Sequence, residues 1–317
     1  MATVRFVLRL TEQDRAILRL AVPAFAALVC EPLFLLADAA VVGHLGTAPL
    51  AGLGIAGAVV ATLVGLFVFL AYGTTASVAR LMGAGDRPGA LVVATDGLWL
   101  AATLGAVVAV LGAVFTHRVV AAFDAAPIVV PYAETYLRIA VFGVPGLLVM
   151  LAATGVLRGM QDTRTPLVVV VVANLANIAL NVTLVYGAGL GIAGSAWGSV
   201  LAQTGAAAWL VTVVVRDARR HGARLGPDRA GIWASAHAGI PLVVRTLTLR
   251  AALLLTTFVA TAQGAAALAA HQVAFALWTF LAFALDALAI AGQAPRSPWT
   301  PGPTSPTPCR SSSSTRP

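Results

Sequence analysis

A single carboxylate, Asp38, stands about two-thirds of the way along an apolar run that begins near residue 16. A carboxylate near the centre of a bilayer helix costs about 2.5–3.5 kcal/mol on insertion scales, so by default it faces a cavity and acts there. Withdrawal from water penalises the charged form of a carboxyl, which brings proton exchange within the reach of a working cycle. Asn174, Asn177 and Asn181 occur at spacings of three and four, which place all three side chains on one face of a helix. Such a stripe points to other helices rather than to lipid, either as glue worth about 0.6 kcal/mol per bond or as company for Asp38 in a shared cavity. Glu31 lies seven residues before Asp38, roughly on the same face, while Gln203 and Asp286 are lone polar groups in later apolar runs and further cavity candidates. Pro23 and Pro32 interrupt the backbone ladder of the first run, and Pro145, beside Gly143 and Gly146, that of the fourth. A helix lacking those bonds bends more readily. Glu134 and Arg138, four residues apart, suit a local ion pair. The two cysteines, Cys30 and Cys309, and the scattered histidines have no metal-ligand spacing, so neither a metal nor an organic cofactor is expected.

These residues need helices in a membrane to position them. Of 317 residues 59% are hydrophobic and 10% charged, a composition that excludes a soluble globular domain. Apolar stretches long enough for a hydrocarbon core of roughly 30 Å predict spans near 16–42, 49–79, 89–116, 128–157, 165–186, 190–215, 231–260 and 266–292. The fold class is therefore an all-α polytopic membrane protein of about eight transmembrane helices. The first span is not read as a cleavable signal peptide, because it starts late and carries Glu31 and Asp38. All twenty cations are arginine, and sixteen fall in the amino-terminal segment, the alternate connections after spans two, four and six, and the tail. That distribution predicts both termini in the cytoplasm of a multi-pass protein of the inner (plasma) membrane. It also explains the net charge of +8 without a nucleic-acid partner.

A weak internal repeat organises the spans. Moving 218 residues carries Ala21-Val22-Pro23 onto Gly239-Ile240-Pro241, and Leu50-Ala51-Gly52-Leu53-Gly54-Ile55-Ala56 onto Leu268-Ala269-Ala270-His271-Gln272-Val273-Ala274. Six spans separate the copies, so two lobes of equal orientation are expected. The chain then divides into an amino-terminal segment (1–15), a six-helix lobe (16–216), an Arg-rich cytoplasmic linker (217–230), the first two helices of a second lobe (231–294) and a tail (295–317). Arg245 and Arg250, inside the seventh span, are costly unless paired or lining the space between lobes. The tail, with seven prolines and no acidic residue, cannot form a span, and the repeat predicts a continuing helix there. A natural truncation or a frameshift is expected, in place of a disordered tail.

Glu31-Pro32-Leu33-Phe34-Leu35-Leu36-Ala37-Asp38 with Val42-Gly43-His44-Leu45-Gly46, Leu81-Met82-Gly83-Ala84-Gly85-Asp86, and Leu157-Arg158-Gly159-Met160-Gln161-Asp162-Thr163-Arg164-Thr165-Pro166 together resemble the multidrug and toxic compound extrusion (MATE) family, in its DinF-like branch. The resemblance covers about residues 15–294. It implies a twelve-helix, monomeric antiporter of two six-helix lobes that exports organic cations or amphipathic, drug-like molecules in exchange for H⁺ or Na⁺, and it implies no enzymatic activity. By the same resemblance Asp38 binds the coupling ion, with Asn177 and Asn181 beside it. Some members carry a second Asp where Asn181 stands, which here leaves Asp38 as the titrating group of the pair. Members of the wider superfamily flip lipid-linked precursors, so a flippase, or an inactive fragment of a transporter, is the alternative reading.

Overall fold

The computed structural model describes residues 36–262 and, beyond them, 274, 277, 278, 280–282 and 285. Every regular element among the described residues is helical. In chain order they are α1 (36–43), α2 (Thr47–Phe67), α3 (Phe69–Gly83), α4 (Arg87–Ala121), α5 (Val130–Ala140), α6 (Val144–Gly159), α7 (Arg164–Val182), α8 (Ile192–Arg220) and α9 (Arg229–Ala262). Val68 alone separates α2 from α3, and the two form one span, Thr47–Gly83. Four more spans, Arg87–Ala121, Val130–Gly159, Arg164–Gly187 and Ile192–Arg220, are long and apolar enough to cross a bilayer. These five agree with the expected second to sixth spans to within about five residues at each end. α9 matches the seventh in position, although Arg245 and Arg250 dilute its apolar run. Most of the first and of the eighth expected span lies outside the described residues, as do Pro23, Glu31, Pro32, Asp286 and the tail. The protein is an all-helical, multi-pass membrane protein.

Two of the motifs that stood out in the sequence are helix starts. Asp86 is the N-cap of α4: its carboxylate accepts from the Gly89 N–H at 2.9 Å, with Pro88 in the first turn, where a missing N–H costs nothing. Gly85 precedes it at φ +78°, a conformation that favours glycine. Asp162, one residue before the N-cap Thr163, ties down the start of α7, its Oδ1 accepting from the Arg164 and Thr165 N–H groups at 3.1 and 3.0 Å and its Oδ2 from the Thr165 hydroxyl at 2.5 Å. Because successive spans alternate in direction, Arg80, Arg87, Arg158, Arg164 and Arg216 all gather at one end of the bundle. There Arg87 holds Asp217 through both carboxylate oxygens, at 3.0 and 2.9 Å, and so ties the start of α4 to the end of α8. The connection to α9 shortens to residues 221–228, since α8 runs on to Arg220.

α6 lies at the middle of the bundle, packed on α3, α4 and α8 around Leu148, Val156, Leu157 and Leu210. Small residues permit the close approach that van der Waals packing in lipid requires. At Gly155 a Cβ would collide with Thr74 and the Ala71 carbonyl, and hydroxyls bridge the same seam: Thr75 donates to Gly155 O at 2.9 Å and Thr74 to Ala152 O at 3.2 Å. A second cluster joins α1, α2, α5 and α8 through Val42, Leu53, Leu137, Val141 and Ile192. The fourth span is not continuous. Residues Val141–Gly143 tighten into a 3₁₀ turn and α6 restarts with Pro145 in its first turn, so the proline that suggested a bend sits at a break. α7 is two-faced: Val168, Val172, Leu175 and Val182 are exposed on its outer surface, whereas Asn177 and Asn181 are buried.

Candidate functional site

The first turn of α1 carries Asp38 into the bundle, where it is 4% exposed. Its carboxylate is held from three other helices. Asn181 of α7 donates its Nδ2 to Oδ1, Ser195 of α8 donates its hydroxyl to the same oxygen at 2.7 Å, and the Tyr136 hydroxyl of α5 donates to Oδ2 at 3.3 Å. A network extends outward from these contacts. Asn181 Nδ2 also donates to Asn177 Oδ1 at 3.0 Å, and Asn177 Nδ2 donates to the Ser199 hydroxyl at 3.1 Å. Asn177 and Asn181 are 2% and 1% exposed. With Asp38 ionised, the Asn181 NH₂ faces two acceptors, and the Asn177 amide accepts on one side and donates on the other. The donor directions converge on Asp38, and no cation touches it among the described residues. The acid is thus dissolved in neutral dipoles, an arrangement that stabilises a buried charge without cancelling it.

The backbone explains how the helices come so close. Gly198 of α8 faces Asn181 so tightly that a Cβ there would run into the Asn181 amide oxygen, and one turn earlier Gly194 abuts the Leu184 carbonyl at 2.8 Å from the position a Cβ would take. Ser195 and Ser199 follow those glycines, so one Gly-Ser pair per turn puts both hydroxyls on the α7-facing side. The extra residue in the π-helical turn Thr183–Gly187 swings Tyr186 towards α1, where its hydroxyl donates to the Val41 carbonyl at 2.6 Å. That bond fixes the backbone three residues from Asp38.

Asp38 and Tyr136 also line a cavity of about 1020 Å³. Its walls are mainly apolar, from α2, α3, α5 and α6, with Leu53, Val64, Phe69 and Leu147 among them. Polar groups enter from Ser199 and Gln203 of α8 and from Arg245 and Thr246 of α9. Of the residues singled out in the sequence, the structure brings Asp38, Asn177 and Asn181 into direct contact and sets Gln203 on the same cavity. Asn174 is half-buried and is not among the lining residues. One expectation is corrected: Glu134 bonds to His117 of α4 at 2.6 Å, not to Arg138 on its own helix, because the first turns of α5 pack on the last turns of α4. Sequence reasoning missed Tyr136, Ser195, Ser199 and Gly198. The Gly194-Ser195-Ala196-Trp197-Gly198-Ser199 spacing was the available signal for the α8 residues, since small residues at i, i+4 mark a helix contact in a membrane. Tyr136 had none.

The MatE family model matches residues 23–183. Protein DETOXIFICATION 44, chloroplastic, of Arabidopsis thaliana is 33% identical over 290 residues, which cover 87% of this chain and 55% of that protein. DNA damage-inducible protein F of Escherichia coli (strain K12) is 30% identical over 291 residues, covering 90% and 63% respectively. The crystal structure of MATE in complex with MaD3S superposes with a TM-score of 0.75 at 25% identity, over 87% of this chain and 64% of that one. The chain thus spans 55% and 63% of the two relatives' lengths. A family match over half the chain, joined to an all-helical bundle, makes the chain a member of the multidrug and toxic compound extrusion (MATE) family.

Proposed function

We propose that the chain is the amino-terminal lobe, with the start of the second lobe, of an antiporter that moves amphipathic, drug-like molecules outward across the cell membrane in exchange for protons. One observation carries the choice of proton over sodium: all three side chains that touch the Asp38 carboxylate are neutral, and among the described residues no second carboxylate joins it. A hard cation is held by several oxygens and favours more than one anionic ligand, which this shell does not supply. A carboxylate that accepts three hydrogen bonds at one time instead gains or loses a proton by exchanging partners. With a proton on Asp38 the carboxyl becomes a donor and its hold on Asn181, Ser195 and Tyr136 weakens. α1 is then tethered mainly by the Tyr186 hydroxyl on Val41, and the wall of the cavity that it forms shifts. Substrate and proton compete through that wall. A lipid-precursor flippase would suit an Arg-rich cavity, whereas among the described residues Arg245 is the one arginine lining this one.

Competition has a thermodynamic signature that needs no transport cycle, because a ligand that disfavours proton binding must release protons when it binds. Purified chain in lipid nanodiscs, weakly buffered, is mixed with the xanthene dye rhodamine B or its ethyl ester while an indicator follows pH. Proton release on binding, abolished in Asp38→Asn with the dye still bound, is the expected result. Dye binding with no proton exchange, or unchanged release in the variant, would refute the coupling role of Asp38.

A further inference from the structure

Residues 229–240 of α9 lie between the cavity and the arginine-rich end of the bundle. The cavity residues of α2 and α3 run from Leu50 to Tyr72, and those of α9 begin at Leu242. Before that point α9 is packed on α3 and α4. Gly231, Ser235 and Gly239, with Ile232 and Ala236 beside them, recur every four residues and make one buried or half-buried face. Gly239 meets Phe69 of α3, whose ring stands where a Cβ would. Two turns earlier the Asp96 carboxylate of α4 stands where a Cβ on Gly231 would. Ile232 and Ala236 pack between them on the core cluster that includes Leu98.

Asp96 is 3% exposed, and a carboxylate withdrawn from water needs donors or positive charge. The start of α9 offers both. Oδ1 of Asp96 accepts from the Asp228 N–H at 3.3 Å, where the first backbone N–H groups of a helix have no partner within it and the helix dipole favours an anion. Three residues on, on the same face of α4, the Trp99 indole N–H donates to the Leu225 carbonyl at 3.0 Å. Arg224 pairs with Asp228 at 3.0 Å, which stiffens the stretch that Asp96 and Trp99 grip. We propose that Asp96 and Trp99 are the latch of a gate: they hold the start of α9 on α3 and α4, and so shut the cavity from the arginine-rich end, the cytoplasmic side by the distribution of arginine. Asp96 is a positioning residue, acting through α9 on a space that it does not line. The inference rests on the antiporter reading for the gate's purpose, and its test needs neither substrate nor coupling ion.

Sidedness of access to the cavity tests the latch. Thr246→Cys places a thiol on the cavity wall in a Cys30→Ser, Cys309→Ser background. A membrane-impermeant maleimide reaches it from outside in whole cells and from the arginine-rich side in inverted membrane vesicles. With the latch intact the thiol should react in cells and be protected in vesicles. Asp96→Ala removes the acceptor and should raise the rate in vesicles about fivefold, the usual effect of a lost helix-cap bond. Asp96→Asn keeps an oxygen that can accept from the Asp228 N–H and should restore most of the protection, which a merely space-filling role would not require. Trp99→Phe keeps a ring, loses the indole N–H and should also raise the rate in vesicles. Thr95→Val, beside Asp96, loses a hydroxyl that bonds within α4 to the Leu91 carbonyl at 2.9 Å and should leave the rate unchanged. Unchanged protection in Asp96→Ala or Trp99→Phe, or an Asp96→Asn variant as open as Asp96→Ala, overturns the latch. If Asp96→Ala does not accumulate, Trp99→Phe decides alone. Equal rates from the two sides in the unaltered chain overturn the closed gate itself. Each of these results leaves standing the antiporter reading, which rests on Asp38.

Discussion

The hydrogen bond from Asn181 to Asp38 can be made to report whether the buried acid is ionised. Asn181→Ala removes two bonds, one to the Asp38 carboxylate and one to Asn177 Oδ1. A bond to a charged group is worth about 1.5–3 kcal/mol, whereas neutral bonds between membrane helices average about 0.6 kcal/mol. The substitution should therefore cost roughly 2–3.5 kcal/mol when Asp38 is charged. In an Asp38→Asn background both lost bonds are neutral, and the same truncation should cost only about 1.2 kcal/mol. The double-mutant cycle thus predicts a coupling of about 1–2 kcal/mol, well above the scatter of such measurements. Reversible unfolding in mixed micelles by added sodium dodecyl sulfate, followed by helical circular dichroism at about pH 8, gives all four stabilities. The sign with pH follows from the chemistry: the charge-assisted part is present while Asp38 is ionised, and it disappears as falling pH protonates the acid. If Asn181→Ala costs the same in both backgrounds at the higher pH, Asp38 is not a charged acceptor in the folded protein, and the proton-exchange argument built on it fails.

Two further substitutions test the frame around the site. Gly198→Ala places a methyl against a buried Asn181 oxygen that has no donor of its own, so overpacking should lower stability by about 1–3 kcal/mol; an unchanged unfolding midpoint would mean that α7 and α8 can part without cost. Val172→Arg puts a charge on the outer face of α7, where the valine is 43% exposed, and should hinder membrane insertion by about 2.5–3.5 kcal/mol if that face meets lipid. Insertion of the variant in a translocon glycosylation assay at the unaltered level would show that the face is covered by something else.

Asp38 was legible because a carboxylate in an apolar run has no innocuous explanation, and Asn177 and Asn181 because a helical period puts amides on one face whatever the helix packs against. Asn174 obeys the same period, yet it lies a turn away from the end of α7 that α1 approaches. The aspartates of Gly-Ala-Gly-Asp and Gln-Asp-Thr-Arg-Thr-Pro belong to motifs that mark the family, and the structure gives both a mechanical role at helix starts. Glu134 shows the opposite case: a helical spacing offered Arg138, and a residue seventeen positions away took the bond.

Composition, hydropathy and the placement of arginine determined that the chain crosses a membrane many times as helices, and roughly where, because a bilayer imposes length and polarity on each segment separately. Those are local demands, and a local string of residues satisfies them visibly. Which donors surround Asp38 was decided only by the tertiary structure. Tyr136, Ser195 and Ser199 are ordinary in their own helices and become a carboxylate's solvation shell only when glycines let α8 close on α7 and a π turn brings Tyr186 onto α1. Arg245 likewise reads as a costly intruder in its own span, and packing sets it on the wall of the cavity.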